Sequence, residues 1–147
     1  MPEKQMLAVI DTNVIVSALL DHDRESNPSI VLVDILSGKI TPLYNDKILS
    51  EYRDVLSRDK FPFRKSDIED TLDLFLKKGI RIDSTYPSEE TFPDLDDVVF
   101  YEVAMSMEGA YLVTGNIKHF PINPVVVTPT QMVDIVMSLT LSPNNKG

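Results

Sequence analysis

Along the chain, short runs of consecutive apolar residues alternate with stretches in which apolar residues return every three or four positions, the marks of buried strands and amphipathic helices. The run Leu7-Ala8-Val9-Ile10 is continuous rather than alternating, so it predicts a strand covered on both faces that ends at Asp11. Residues 14–20 predict a helix. After a polar loop over 21–27, Ser26 or Asn27 as cap and Pro28 in the first turn open a second helix that runs to Ser37 and stops at Gly38. Residues 40–44 predict a second strand. From Asp46 to about Arg58, the positions Ile48, Leu49, Tyr52, Val55 and Leu56 keep helical spacing. Glu51, three after Ile48 and four before Val55, falls at the edge of that apolar stripe.

Phe61-Pro62-Phe63 breaks the pattern. Ser66-x-x-Glu69 has the form of a capping box and predicts the start of a helix that ends at Gly79. Residues 80–82 predict a short strand, and 84–93, with two prolines, a loop. Residues 94–108 predict a helix that is apolar on nearly every side and therefore central. Residues 110–113 predict a strand ending in Thr114-Gly115-Asn116, and 125–127 another. Thr128-Pro129-Thr130-Gln131 supplies cap, first-turn proline and capping-box glutamine for a last helix to about residue 139. Strands and helices alternate throughout, which implies an α/β sandwich with a mainly parallel sheet. No repeat or linker divides the chain, so one domain over 1–141 is expected, with a disordered tail over 142–147.

Composition narrows the chemistry. A chain of 147 residues with 43% hydrophobic positions can bury a core without a structural metal or disulfide. It contains no Cys, and its two histidines are His22 and His119, so thiolate sites are excluded and a metal would be held mainly by oxygen. The first residues are polar and the apolar run after them is broken by Asp11, too short for a signal peptide or a membrane span. A cytoplasmic protein without membrane association is expected. Fourteen basic against 23 acidic residues give a net charge of −9, which argues against a protein that coats nucleic acid. The charge is segregated: nine Lys and Arg lie between Lys47 and Arg81, whereas residues 82–108 hold eight acids and no Lys or Arg.

Open parallel sheets bind ligands beyond the carboxyl ends of their strands. If the strands ending at Asp11 and at Thr114 are neighbours, their polar tips share one crevice. Glu51 and the aspartates Asp94, Asp96 and Asp97 are the other acids able to reach it. Carboxylates gathered without Lys or Arg repel one another unless a cation neutralises them, and oxygen donors favour Mg²⁺ or Mn²⁺ over zinc. Each residue also has an ordinary reading: Asp11 as a helix cap, Glu51 as a solvated helix residue, the aspartates as partners of a helix dipole, Thr-Gly-Asn as a turn. The order of the whole set is what distinguishes this chain.

Val9-Ile10-Asp11-Thr12-Asn13-Val14, the acid in Ile48-Leu49-Ser50-Glu51-Tyr52-x-x-Val55-Leu56, Asp94-x-Asp96-Asp97-x-x-Phe100, and Tyr111-Leu112-Val113-Thr114-Gly115-Asn116 together resemble the PIN domain. The resemblance is to its bacterial branch of toxin components of toxin-antitoxin systems, VapC-like, and covers about residues 6–139. It implies a three-layer α/β/α sandwich with a mainly parallel central sheet of four or five strands. It also implies a metal-dependent ribonuclease in which Asp11, Glu51 and Asp97 are the catalytic acids and hold Mg²⁺ or Mn²⁺. Asp94 and Asp96 are their neighbours, and Thr12 and Thr114 would orient the carboxylates. The fourth position, often Asp in that family, is Asn116 here, which brings an oxygen but no charge.

The implied substrate is single-stranded RNA, with Arg53, Arg58, Lys60, Arg64, Lys65, Lys118 and His119 as the cations available to its phosphates. An antitoxin protein and a second copy in a homodimer are the implied partners. The competing expectation is a PIN-like module of weak or absent activity that binds RNA or a protein partner, the acidic set having degenerated at Asn116. A haloacid-dehalogenase-like phosphatase would want an acid where this chain has Asn13. A receiver domain would want an acid pair near the start.

Overall fold

The computed structural model describes residues 5–140, and the tail expected to be disordered lies outside them. Its centre is β1 (Met6–Ile10), in which Ala8, Val9 and Ile10 are fully buried, and its neighbour β2 (Ile40–Tyr44), in which every residue is buried. Strands without a polar face belong inside a sheet covered on both sides. The sheet is completed by β3 (Ile80–Arg81), β4 (Tyr111–Val113) and β5 (Val126–Val127), all parallel, in the order β3-β2-β1-β4-β5. The helices of the described residues are α1 (Thr12–Leu20), α2 (Asn27–Leu36), α3 (Asp46–Leu56), α4 (Lys65–Lys78), α5 (Val98–Met105) and α6 (Pro129–Thr140). They sandwich the sheet in three α/β/α layers, with α5 against β1, β4 and β2, and α2 and α4 against β2. No helix among the described residues is long and apolar enough to cross a membrane.

Local chemistry sets most element ends as the side chains imply. Ser26 caps α2 by accepting the Ser29 amide at 3.3 Å. Thr128 and Gln131 form the reciprocal capping box of α6, with bonds of 3.1 and 2.8 Å. Three helices differ from expectation at one end or both. The first helix begins at Thr12 rather than at residue 14, because the chain turns from strand to helix at Asp11, whose carbonyl accepts the Val14 amide at 3.0 Å. α4 is not opened by Ser66 and Glu69: Arg64 is the cap residue, its amide donates to the Asp67 carboxylate at 3.0 Å, and Glu69 is ion-paired with Arg53 of α3. The helix expected over 94–108 starts as a 3₁₀ turn, Leu95–Asp97, because the Asp94 carboxylate accepts the Asp96 amide at 2.9 Å and tightens the entry. It also ends early, at Met105.

Two packing contacts place the helices that carry acids. Tyr52 of α3, Phe75 of α4 and Phe100 of α5 are buried together, with ring centroids 5.1 Å apart for Tyr52–Phe75 and 6.1 Å for Tyr52–Phe100. Such pairs contribute roughly 0.5–1.5 kcal/mol each beyond area burial. The Tyr52 hydroxyl also donates to the Ile10 carbonyl at 2.5 Å, which ties α3 to the carboxyl end of β1 one residue before Asp11. α4 reaches β3 through Gly79, where an added Cβ would meet the backbone oxygens of Phe75 and Pro42 at 2.6 Å each.

Candidate active site

From β1 the chain winds to β2 and β3 on one side and returns to β4 on the other, so the strand order reverses between β1 and β4. That is the switch point at which open α/β sheets form their ligand crevice. The register pairs Ile10 with Val113, and the Asp11 amide donates to the Val113 carbonyl at 2.9 Å. Asp11 and Thr114 therefore leave the sheet side by side.

Asp11 occupies the cap position of α1, yet its carboxylate accepts no capping bond from the helix. It turns instead to β4, where the buried Thr114 hydroxyl donates to Asp11 Oδ2 at 2.8 Å, and the Asn13 side-chain amide donates to the same oxygen at 3.3 Å. Burial pushes the Asp11 carboxyl up from its ordinary range, and the Thr114 bond opposes this. The Thr114 hydroxyl accepts the Asn116 amide at 2.9 Å, and the Asn13 side-chain oxygen accepts the Gly115 amide at 3.0 Å. Thr12, expected to orient a carboxylate, has its hydroxyl buried without a hydrogen-bond partner.

Asp97, brought in by the 3₁₀ turn before α5, faces the same end of the sheet. Its carboxyl is pushed up to about 6, first by burial, then by the charges of Asp11 and Asp94, with His119 opposing. Asp97 Oδ2 is buried and has no hydrogen-bond partner. The nearest basic side chain is His119, whose Nδ1 lies 3.5 Å away, beyond good hydrogen-bond geometry. The other ring nitrogen, Nε2, is 2.9 Å from the Asn116 side-chain amide. Hydrogen bonds thus link Asp11 through Thr114 and Asn116 to His119, whose ring stands 3.5 Å from Asp97.

Glu51 stands in a different company. Burial raises its carboxyl most, and Asp96, Asp54 and Asp94 raise it further, with Arg58 opposing. It lines an open cleft of about 660 Å³ together with Lys47, Ser50, Asp54, Asp96 and Glu102. Asn45 and Asp83, which follow β2 and β3, line it too and place it at the same carboxyl edge of the sheet. Two groups result: Asp11 and Asp97 at the switch point, and Glu51 with Asp96 on the adjoining cleft. Asp94 acts on a member of each. Among the described residues no three Asp, Glu or His side chains stand together as a closed metal cage.

A PIN domain match spans residues 7–118, from β1 through the acids to the turn after β4. The chain belongs to the PIN domain family. PIN domains are generally nucleases. Among solved structures, a chain of VapBC2 from Rickettsia felis, bound to a DNA fragment from their promoter, is similar with a TM-score of 0.54 and 22% identity. The similarity covers 83% of this chain and 97% of that one and shows a common fold. No curated protein matches.

In this PIN domain most of the expected phosphate-binding cations already have intramolecular partners. Arg53 pairs with Glu69, Arg58 with Asp54 at 3.5 Å, and Arg64 with Asp67 at 3.4 Å. Lys60 lies over the Phe61 ring, 5.2 Å from its centroid. Lys65 is exposed on α4 and acts electrostatically on Glu69. Lys118 is exposed in the 3₁₀ turn Ile117–His119, next in sequence to His119. Lys47, on the cleft wall, was not among the expected cations. Nor was Asn13 expected at the site; its signal is an amide two residues after a strand-ending Asp, where it holds both Asp11 and the turn after β4. Tyr52, read from the sequence as one of the apolar positions of α3, also bonds to the end of β1.

Proposed function

We propose that this PIN domain is a metal-dependent endoribonuclease acting on single-stranded RNA, the toxin component of a toxin-antitoxin pair. The observation that carries this reading is the convergence at the switch point of two desolvated carboxylates, Asp11 and Asp97, both with raised affinity for protons and one with a buried oxygen that nothing in the protein satisfies. Such a pair is unfavourable without a cation, and its donors suit a hard divalent ion. Asp11 and Asp97 would hold Mg²⁺ or Mn²⁺, with Glu51 as a ligand or acting through a water. A divalent ion held by these carboxylates would supply neutralisation of phosphodiester charge and activation of water for hydrolysis.

The protein's own residues position these groups. Thr114 and Asn13 fix the Asp11 carboxylate, and Asp94 holds the turn that presents Asp97. The cleft beside Glu51 offers room for a strand of RNA, and Lys47 and Lys118 are placed to meet its phosphates. The fold shared with a chain of VapBC2 supports an antitoxin as partner of this chain as well. A homodimer and a cytoplasmic location complete the reading.

The test is calorimetric titration of Mn²⁺ and Mg²⁺ into the protein and its Asp11→Asn variant, alongside cleavage of a mixed single-stranded RNA. Saturable binding and cleavage, both lost in the variant, are expected. Cleavage that survives the substitution, or binding that is absent from the unaltered protein, would refute the assignment.

A further inference from the structure

The side chain best placed beside the unsatisfied oxygen of Asp97 is not another acid. His119 Nδ1 lies 3.5 Å from Asp97 Oδ2, yet the two are not hydrogen-bonded, and Oδ2 has no other partner although it is buried. An ordinary histidine–carboxylate pair would close to about 2.7–2.9 Å with the N–H aimed at the oxygen. A separation of 3.5 Å is instead that of two donors facing one ion, since ligands each about 2.1 Å from a metal stand about 3.0–3.5 Å apart.

The rest of the ring is arranged to match. Asn116 lies 2.9 Å from Nε2. A carboxamide can present either its oxygen or its nitrogen there, so it can accept an Nε2–H and leave Nδ1 with a free lone pair directed at Asp97. Imidazoles that bind metals are held in this way, by an acceptor on the nitrogen that does not coordinate. Asn116 is itself fixed by its backbone bond to Thr114, whose hydroxyl also holds Asp11. One hydrogen-bonded unit therefore orients Asp11 and His119 together.

We infer that His119 is a nitrogen ligand of the divalent ion at this site, with Asn116 as its positioning residue, and that the site in consequence selects Mn²⁺ over Mg²⁺. The inference rests on the metal-binding reading above and adds the identity of one ligand and of the ion. Replacing a carboxylate donor by imidazole lowers the negative charge of the site and moves its preference from the hard Mg²⁺ toward first-row transition ions. The same arrangement gives Asn116 a task that an acid at that position would perform differently.

The experiment uses Mn²⁺ alone as probe. Calorimetry measures Mn²⁺ and Mg²⁺ affinity, and pulsed electron paramagnetic resonance of the Mn²⁺ complex reads coupling to a directly bound ¹⁴N. The unaltered protein is expected to show ¹⁴N coupling and to prefer Mn²⁺. His119→Ala is expected to lose the coupling and to weaken Mn²⁺ binding by about tenfold or more, with a smaller effect on Mg²⁺. His119→Asp, which returns an oxygen donor, is expected to bind Mn²⁺ without ¹⁴N coupling and to narrow the gap between the two ions. Stoichiometric Mn²⁺ binding by the unaltered protein without ¹⁴N coupling, or coupling that survives in His119→Ala, overturns this inference and leaves the metal site itself standing. No Mn²⁺ binding at millimolar concentration overturns both.

Discussion

Replacing Asp97 by Asn removes a carboxylate that folding carries into an unfavourable place, and the variant should be more stable than the unaltered protein near neutral pH. The Asp97 carboxyl rises from 3.8 to about 6 on folding, through burial first and the charges of Asp11 and Asp94 next. A shift of about two units corresponds to about 3 kcal/mol, at roughly 1.4 kcal/mol per unit. The side chain is 14% exposed, so little of this is lost to solvent screening. The Asn amide keeps a polar group that must still find partners, which leaves an expected gain of about 1–2 kcal/mol.

The sign follows from linkage. A carboxyl whose pKa is raised in the folded state contributes stability that is complete below the unfolded value of 3.8 and is lost as pH rises through about 6. The electrostatic part of the gain should therefore be full at pH 7.5, half gone near pH 5 and nearly absent by about pH 3. For a chain of this size it corresponds to a rise in Tm of about 3–6 °C. The assay is thermal or urea unfolding of both proteins across this pH range with EDTA present, so that no bound ion neutralises Asp97. A variant no more stable than the parent at pH 7.5, or a gap that does not change with pH, would refute the electrostatic argument.

Other substitutions test separate parts of the structure. Tyr52→Phe leaves the Ile10 carbonyl without its buried donor and should cost about 1–2 kcal/mol in urea unfolding; an unchanged midpoint would mean the bond to β1 carries no energy. Gly79→Ala places a Cβ 2.6 Å from two backbone oxygens and should destabilise by about 1–3 kcal/mol, in contrast to the usual slight gain from replacing glycine by alanine. Glu51→Gln should leave the fold intact, since the side chain sits on an open cleft among like charges, and should lower RNA cleavage by about tenfold or more; parental rates would remove Glu51 from the reaction.

Much of this architecture is legible from short-range chemistry. The continuous apolar run before Asp11, the serine before Asn-Pro and the Thr-Pro-x-Gln before the last helix act within a few residues of themselves. Here they form the strand and the caps that their side chains favour. Ser66-x-x-Glu69 has the same local form and does not cap, because Asp67 reaches the Arg64 amide and Glu69 is drawn to Arg53 on another helix. A local pattern is decisive only where no tertiary partner competes for the same side chain.

The acids divide along the same line. That Asp11 and Thr114 end two strands follows from the residues before them; that those strands are neighbours, with Asp11 turned to Thr114 rather than to its own helix, follows from the strand order. The placing of Glu51 with Asp96 on the cleft, the burial of an unsatisfied Asp97 oxygen and the approach of His119 to it involve segments tens of residues apart. Sequence alone determined the elements, most of their ends and the list of acids, since backbone preference and hydrophobic period act over a few residues. Only the tertiary structure decided which acids share a field and which cations are already engaged, because charge and burial act through space and depend on which strands lie side by side.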